Sequence, residues 1–139
     1  MFDIFVILYY NIIKYAHGGV FFMNAKIENN NGLITISNDV IATIAGDAAT
    51  RCYGVVGMAV RNKADGIASL LKKDAMSKGI KVSVDEEGLV IDVHVIIGYG
   101  INIKTTSESI IESVKYNVES VTGFNVKQVN VNVESVRVD

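Results

Sequence analysis

The stretch IKVSVDEEGLVIDVHVIIGYG, Ile80 to Gly100, alternates apolar and polar residues on both sides of an acidic turn. Strand side chains project to opposite faces with a period of two, so Ile80, Val82 and Val84 share one face, as do Leu89, Ile91, Val93, Val95 and Ile97. The intervening Asp85-Glu86-Glu87-Gly88 is a hairpin turn. On the opposite face lie Lys81, Ser83 and Asp85, with Val90, Asp92, His94 and Ile96 on the partner strand, so that face is expected to be partly solvated. A sheet apolar on one side needs a covering layer, and the flanking sequence supplies helices.

Upstream, a polar lead (Glu28 to Asn31) precedes a short strand, Gly32 to Ile36. Ser37, Asn38 and Asp39 then offer cap-type side chains for a helix with two i,i+4 rows: Val40, Ile44, Ala48, Cys52, and Ile41, Ala45, Ala49, Tyr53. Its small residues, Gly46 included, allow close approach to a sheet, and Gly54 is the expected stop. Val55 to Val60 reads as a strand, followed by a charged connection, a short helix with Ile67, Leu70 and Leu71, and a stop at Gly79. Downstream, Thr105 and Glu108 have capping-box spacing, and Ile110, Val114, Val118 and Val121 form a helical stripe ending at Gly123. In the last segment Val129, Val131 and Val133 alternate with Asn130, Asn132 and Glu134, then shift phase to Val136 and Val138, which predicts a bulge. The order β-α-β-(short α)-β-β-α-β implies an α/β (α+β) two-layer sandwich, with both long helices on one face of a mixed sheet.

A chain of 139 residues with 50% hydrophobic and 20% charged residues and a net charge of -2 is long enough for one core, and is neither a disordered polymer nor a globally basic nucleic-acid binder. The single cysteine, Cys52, excludes an intramolecular disulfide and a multi-cysteine metal cage and fits a reducing compartment. Met1 to Tyr15 is strongly apolar. Asp3 and the lack of a small-residue cleavage site argue against a signal peptide, and Asn11, Lys14 and His17 interrupt the run short of the about 20 residues a membrane span needs. The expectation is that Met23 is the natural start, with residues 1–22 a translated apolar leader and residues 24–139 the domain. A short anchor is the alternative.

Sites for chemistry are sparse. Gly98-Tyr99-Gly100 follows a strand and precedes a helix, but Ile103 stands where a dinucleotide fingerprint continues and no third glycine appears. Gly54-Val55-Val56-Gly57 has the letters of a KH-domain loop, yet it carries valines leading into a strand. Asp92 and His94 point to one sheet face and could touch one ligand, but two donors fall short of the three or four a metal needs, and His17 lies in the leader. They read as a polar sheet surface, with no catalytic residue, metal or cofactor expected. Cys52 on the apolar helix face reads as a small hydrophobe. Between residues 61 and 81, Arg61, Lys63, Lys72, Lys73, Lys78 and Lys81 face only Asp65 and Asp74. This stretch is a candidate anion- or partner-binding surface for an acidic protein, anionic lipid or RNA. A solvated edge is the plainer reading, because Ile67, Leu70 and Leu71 are too few for independent membrane binding.

Three segments together, Ile36 to Met58 (ISNDVIATIAGDAATRCYGVVGM), Val90 to Ile103 (VIDVHVIIGYGINI) and Val114 to Val138 (VKYNVESVTGFNVKQVNVNVESVRV), resemble the alkaline shock protein family of Gram-positive bacteria. The resemblance implies a cytosolic, non-enzymatic protein tied to the cell-envelope stress response, with no catalytic residues to carry over. It also implies that membrane association runs through an integral membrane partner rather than through a transmembrane span of this chain. Residues 1–22 have no counterpart in the family, and the chain lacks the charged tail of some relatives. The shorter branch that it resembles is associated with lipid metabolism. The expected role is therefore an adaptor or scaffold in envelope stress or envelope lipid homeostasis. Its partners would be proteins, an integral membrane protein or lipid-metabolism enzymes among them, with self-association through the valine-rich last strand or the open sheet face. Nucleic acid is the lesser alternative.

Overall fold

The structure, a computed structural model, describes residues 25–59 and 79–138. In chain order these form β1 (Ala25–Asn29), β2 (Gly32–Ile36), α1 (Asn38–Thr50), β3 (Val55–Met58), β4 (Ile80–Asp85), β5 (Gly88–Gly98), α2 (Ile103–Thr122) and β6 (Val126–Arg137). The long strand β5 organises the main sheet. It pairs antiparallel with β3 and β4 and parallel with β6. The alternation legible in the sequence holds along all of β5: Leu89, Ile91, Val93, Val95 and Ile97 are buried, whereas Val90, Asp92, His94 and Ile96 are half-buried. The buried set packs with Ile41, Ala45 and Ala49 of α1 and Ile110, Val114 and Val118 of α2 in one core. Each Val, Leu or Ile among them contributes roughly 1.5–3 kcal/mol when fully buried, and the alanines less. The expected two-layer architecture is present, with both long helices on one face of a mixed sheet.

The helix ends follow local chemistry, with two departures from expectation. Ser37 caps α1 as anticipated, its hydroxyl oxygen accepting from the Val40 amide. For α2 the cap is Asn102, not Thr105: the Asn102 side-chain oxygen accepts from the Thr105 amide at 3.0 Å. Thr105 thus already lies in the first turn, because an extended Asn two residues after Gly100 starts the helix earlier than the capping-box spacing suggested. The buried row of α2 is the strict i,i+4 series Thr106, Ile110, Val114, Val118 and Thr122, so Val121 falls off it and is 68% exposed. Thr122 closes the row by donating to the Val118 carbonyl at 2.6 Å and accepting from the Phe124 amide.

The polar lead is where the sequence reading misses an element. Residues 25–29 form β1, which pairs with β2 in a separate two-stranded sheet. The Asn29 side chain accepts from the Asn31 and Gly32 amides, an Asx turn that makes the polar residues the turn itself. The strand expected over Gly32 to Ile36 therefore exists but is not a member of the main sheet. The leader (residues 1–22), Val60 and the short helix with Ile67, Leu70 and Leu71 lie outside the described residues.

Strands β3 and β4 run in the same direction along one edge of β5. Met58 is in register with Val95, and Ile80 with Val93. His94, between them, receives a hydrogen bond from the Ala59 amide at 3.0 Å and donates one to the Gly79 carbonyl at 2.8 Å. In an antiparallel ladder one residue supplies both groups to its partner. Here Ala59 supplies the donor and Gly79 the acceptor, so β3 and β4 are one edge strand interrupted at a single position.

The predicted bulge of β6 is present, as a register shift opposite Val95 and Ile96, and a second shift lies opposite Leu89 and Val90. Near the second, the β4–β5 turn is fastened to the start of β6. The Leu89 amide donates to the Asn125 carbonyl, the Asn125 side chain donates to the Glu87 carbonyl, and Lys127 Nζ lies 2.7 Å from Asp85 Oδ2 and 3.2 Å from Glu87 Oε2. The hydrogen bond from Lys127 holds the Asp85 carboxyl below its ordinary range, and the same pairing raises Lys127. The Asp85 contribution to stability is present above the carboxylate range of the unfolded chain and is lost as pH falls through the lower folded value. The Lys127 contribution is present at neutral pH and is lost only as pH rises through the raised lysine value. Lys127→Met is expected to move the Asp85 titration midpoint upward in carboxyl NMR; an unmoved midpoint would remove Lys127 as the cause.

Candidate interaction surface

The sheet face turned away from the helices carries a polar network between β5 and β6. Asp92 Oδ1 accepts from Asn130 Nδ2 at 2.7 Å, and the Asn130 side-chain oxygen accepts in turn from Gln128. His94 Nδ1 lies 2.7 Å from Glu134 Oε1. Asp92 and His94, expected to share one face, do so, but each is directed to its own partner on β6 instead of converging on one ligand. Among the described residues no group of three or more His, Cys, Asp or Glu is placed to hold a metal ion. Of the basic candidates, Lys81 is exposed on β4, opposite Asp92 in the ladder. Arg61, Lys63, Lys72, Lys73 and Lys78 lie outside the described residues. Cys52, expected on the apolar face of α1, follows the end of that helix and packs half-buried against the core.

A second surface forms at the C-terminal end of β5. The Gly98 amide donates to the Gly54 carbonyl and the Tyr99 amide to the Arg137 carbonyl, both at 2.9 Å. These bonds set Tyr53-Gly54, Gly98-Tyr99 and Arg137-Val138 side by side across three neighbouring segments. Tyr53 is 85% exposed, Tyr99 75% and Val138 70%. Large exposed side chains grouped in this way are characteristic of protein-binding surfaces, where tyrosines serve as anchors. Sequence periodicity groups Tyr53 with Ile41, Ala45 and Ala49 in one i,i+4 row of the helix, but α1 ends at Thr50, three residues earlier. The available signal was the repeated Tyr-Gly pair, Tyr53-Gly54 and Tyr99-Gly100, which places both rings at element ends.

Residues 26–138 match the model of the alkaline shock protein 23 family, described as having a cell envelope-related function. The chain belongs to this family. Similar proteins include Spy1614 of Streptococcus pyogenes serotype M6, 42% identical over 84% of this chain and 97% of that one, and YloU of Bacillus subtilis, 40% identical over 84% and 98%. YqhY of Bacillus subtilis is more distant, at 29% identity over 81% of this chain and 82% of its own. Among solved structures, a variant of MamM CTD superposes with a TM-score of 0.45 at 13% identity, over 73% of this chain and 95% of that one. Among the described residues of this alkaline shock family member, no helix is long and apolar enough to cross a membrane.

Proposed function

We propose that this chain is a non-enzymatic adaptor or scaffold in cell-envelope stress or envelope lipid homeostasis, acting through protein partners and self-association, with residues 24–139 as the working unit. The observation that carries this reading is the group formed by Tyr53, Tyr99 and Val138 at one end of the sheet. It offers apolar anchors to a partner. The partner is an integral membrane protein or a lipid-metabolism enzyme held against the cytoplasmic side of the envelope.

Affinity purification from the native host tests this with the pair Tyr53→Ser and Tyr99→Ser. Both sites are exposed, so thermal unfolding should be nearly unchanged. A partner retained by the wild type should be depleted at least ten-fold by the double change, since each interface anchor is worth about 2 kcal/mol or more. An identical partner set for both proteins would remove the tyrosine end as the docking surface.

The alternative is anion binding by the basic segment that includes Lys81. It is supported by the position of that segment, which leaves and re-enters the sheet at one point opposite His94. Binding to RNA or anionic vesicles that collapses between low and moderate salt would favour it, and no retention at low salt would dismiss it.

A further inference from the structure

Strand β6 pairs with β5 along one edge, and no described strand pairs with its other edge. Open edges are usually blunted by charge, proline or bulges. Here the two register shifts bracket a regular run instead of interrupting it. That run, Gln128 to Val133, is followed by Glu134, the extra residue at the shift opposite Val95 and Ile96, and the segment through Glu134 reads QVNVNVE. It contains no lysine, proline or glycine, and apart from the isosteric Gln/Glu ends it is a palindrome centred on Val131.

We propose that a second copy of this chain pairs with this edge, antiparallel, about a two-fold axis through Val131. The inference rests on the self-association part of the adaptor reading and specifies where that association occurs. In this register Val129 stands opposite the partner copy's Val133, Asn130 opposite Asn132, and Gln128 opposite Glu134, each twice by symmetry. Residues directly opposite in an antiparallel pair share a face, so the valines continue the core side of the sheet and the amides its polar side. Moving the axis by one residue fails on both sides. Centred on Asn132, the pairing sets Lys127 against Arg137 and Gln128 against Val136. Centred on Asn130, it sets Val126 against Glu134. The palindrome therefore selects one register, and an isologous contact of this kind closes as a dimer instead of growing into a fibre. A contact of seven residues per strand is small beside the about 1,200–2,000 Å² of stable interfaces, so the dimer is of the weak, concentration-dependent class.

Position 128 tests the register by the sign of a charge. Gln128→Lys places a cation opposite Glu134, and Gln128→Glu places a like charge there. Sedimentation equilibrium of the full chain at low salt should show tighter dimers for the first and looser dimers for the second. The two dissociation constants should differ by roughly ten-fold, from two symmetry-related cross-strand pairs. Gln128 is exposed, so both variants should keep the wild-type melting curve, and the same two charges at exposed Ser109 on α2 should leave dimerisation unchanged. Dimers indifferent to the sign at 128, or equally sensitive at 109, would overturn this pairing while leaving self-association through another surface standing. A chain that stays monomeric throughout, the Lys variant included, would overturn both the pairing and self-association. Capture of a partner by the tyrosine end would be unaffected by either result.

Discussion

Gly88→Ala is expected to lower the unfolding free energy by about 3 kcal/mol, measured by chemical denaturation of the full chain. Gly88 has φ +142°, a conformation that L side chains rarely adopt, and a Cβ there would lie 2.5 Å from the Asn125 carbonyl oxygen. That oxygen is already used, since it accepts from the Leu89 amide at 2.9 Å. The main chain of β5 and the α2–β6 connection therefore cannot separate to admit a methyl group without breaking the bond that aligns β6 with β5. Strain and loss of alignment act in the same direction. Gly57→Ala provides the contrast: its φ is ordinary and nothing lies within 4 Å of the added Cβ. That change should be neutral, or stabilising by about 0.4–1 kcal/mol through the unfolded chain. Similar losses at both positions would mean that the Asn125 contact does not limit Gly88.

Much of this fold is legible in the sequence because single periodicities decide it. The alternation from Ile80 to Ile97 specifies the hairpin and its core face, and the phase shift after Val133 marks the β6 bulge. Features that depend on tertiary pairing are not legible in this way. Nothing local in Ala25 to Asn29 distinguishes a strand from a polar lead, because β1 is completed only by β2 across an Asx turn. Tyr53 fits the helical row of Ile41, Ala45 and Ala49, and only the early end of α1 turns it outward. The candidate surface divides in the same manner. The shared face of Asp92 and His94 follows from their spacing, whereas their separate partners, Asn130 and Glu134, follow from the parallel register with β6, which a sequence does not encode locally.

The interrupted edge strand makes a second strong prediction. Because Ala59 and Gly79 share one place in the ladder opposite His94, deleting residues 60–79 and joining Ala59 to Ile80 leaves Ala59 to supply both the amide and the carbonyl. The strand then runs without a register change from Gly57 to Asp85. Closing a loop of this length costs on the order of 2–3 kcal/mol of chain entropy, which the deletion recovers. The shortened chain is expected to unfold cooperatively, with its midpoint no lower than that of the full chain. Gly79→Ala in the full chain should act in the opposite direction, costing about 2 kcal/mol. There a Cβ would lie 2.8 Å from the His94 carbonyl oxygen and 3.0 Å from that of Ala59, two backbone atoms with no freedom to retreat. The two results bear on one claim, since an alanine is harmful at position 79 only while position 59 occupies the same rung. Loss of cooperative unfolding on deletion would show that the segment contributes to the core. Retained folding would instead allow the shortened chain to separate the two functional readings: anion retention should fall with the loss of Arg61, Lys63, Lys72, Lys73 and Lys78, while capture through Tyr53 and Tyr99 should persist.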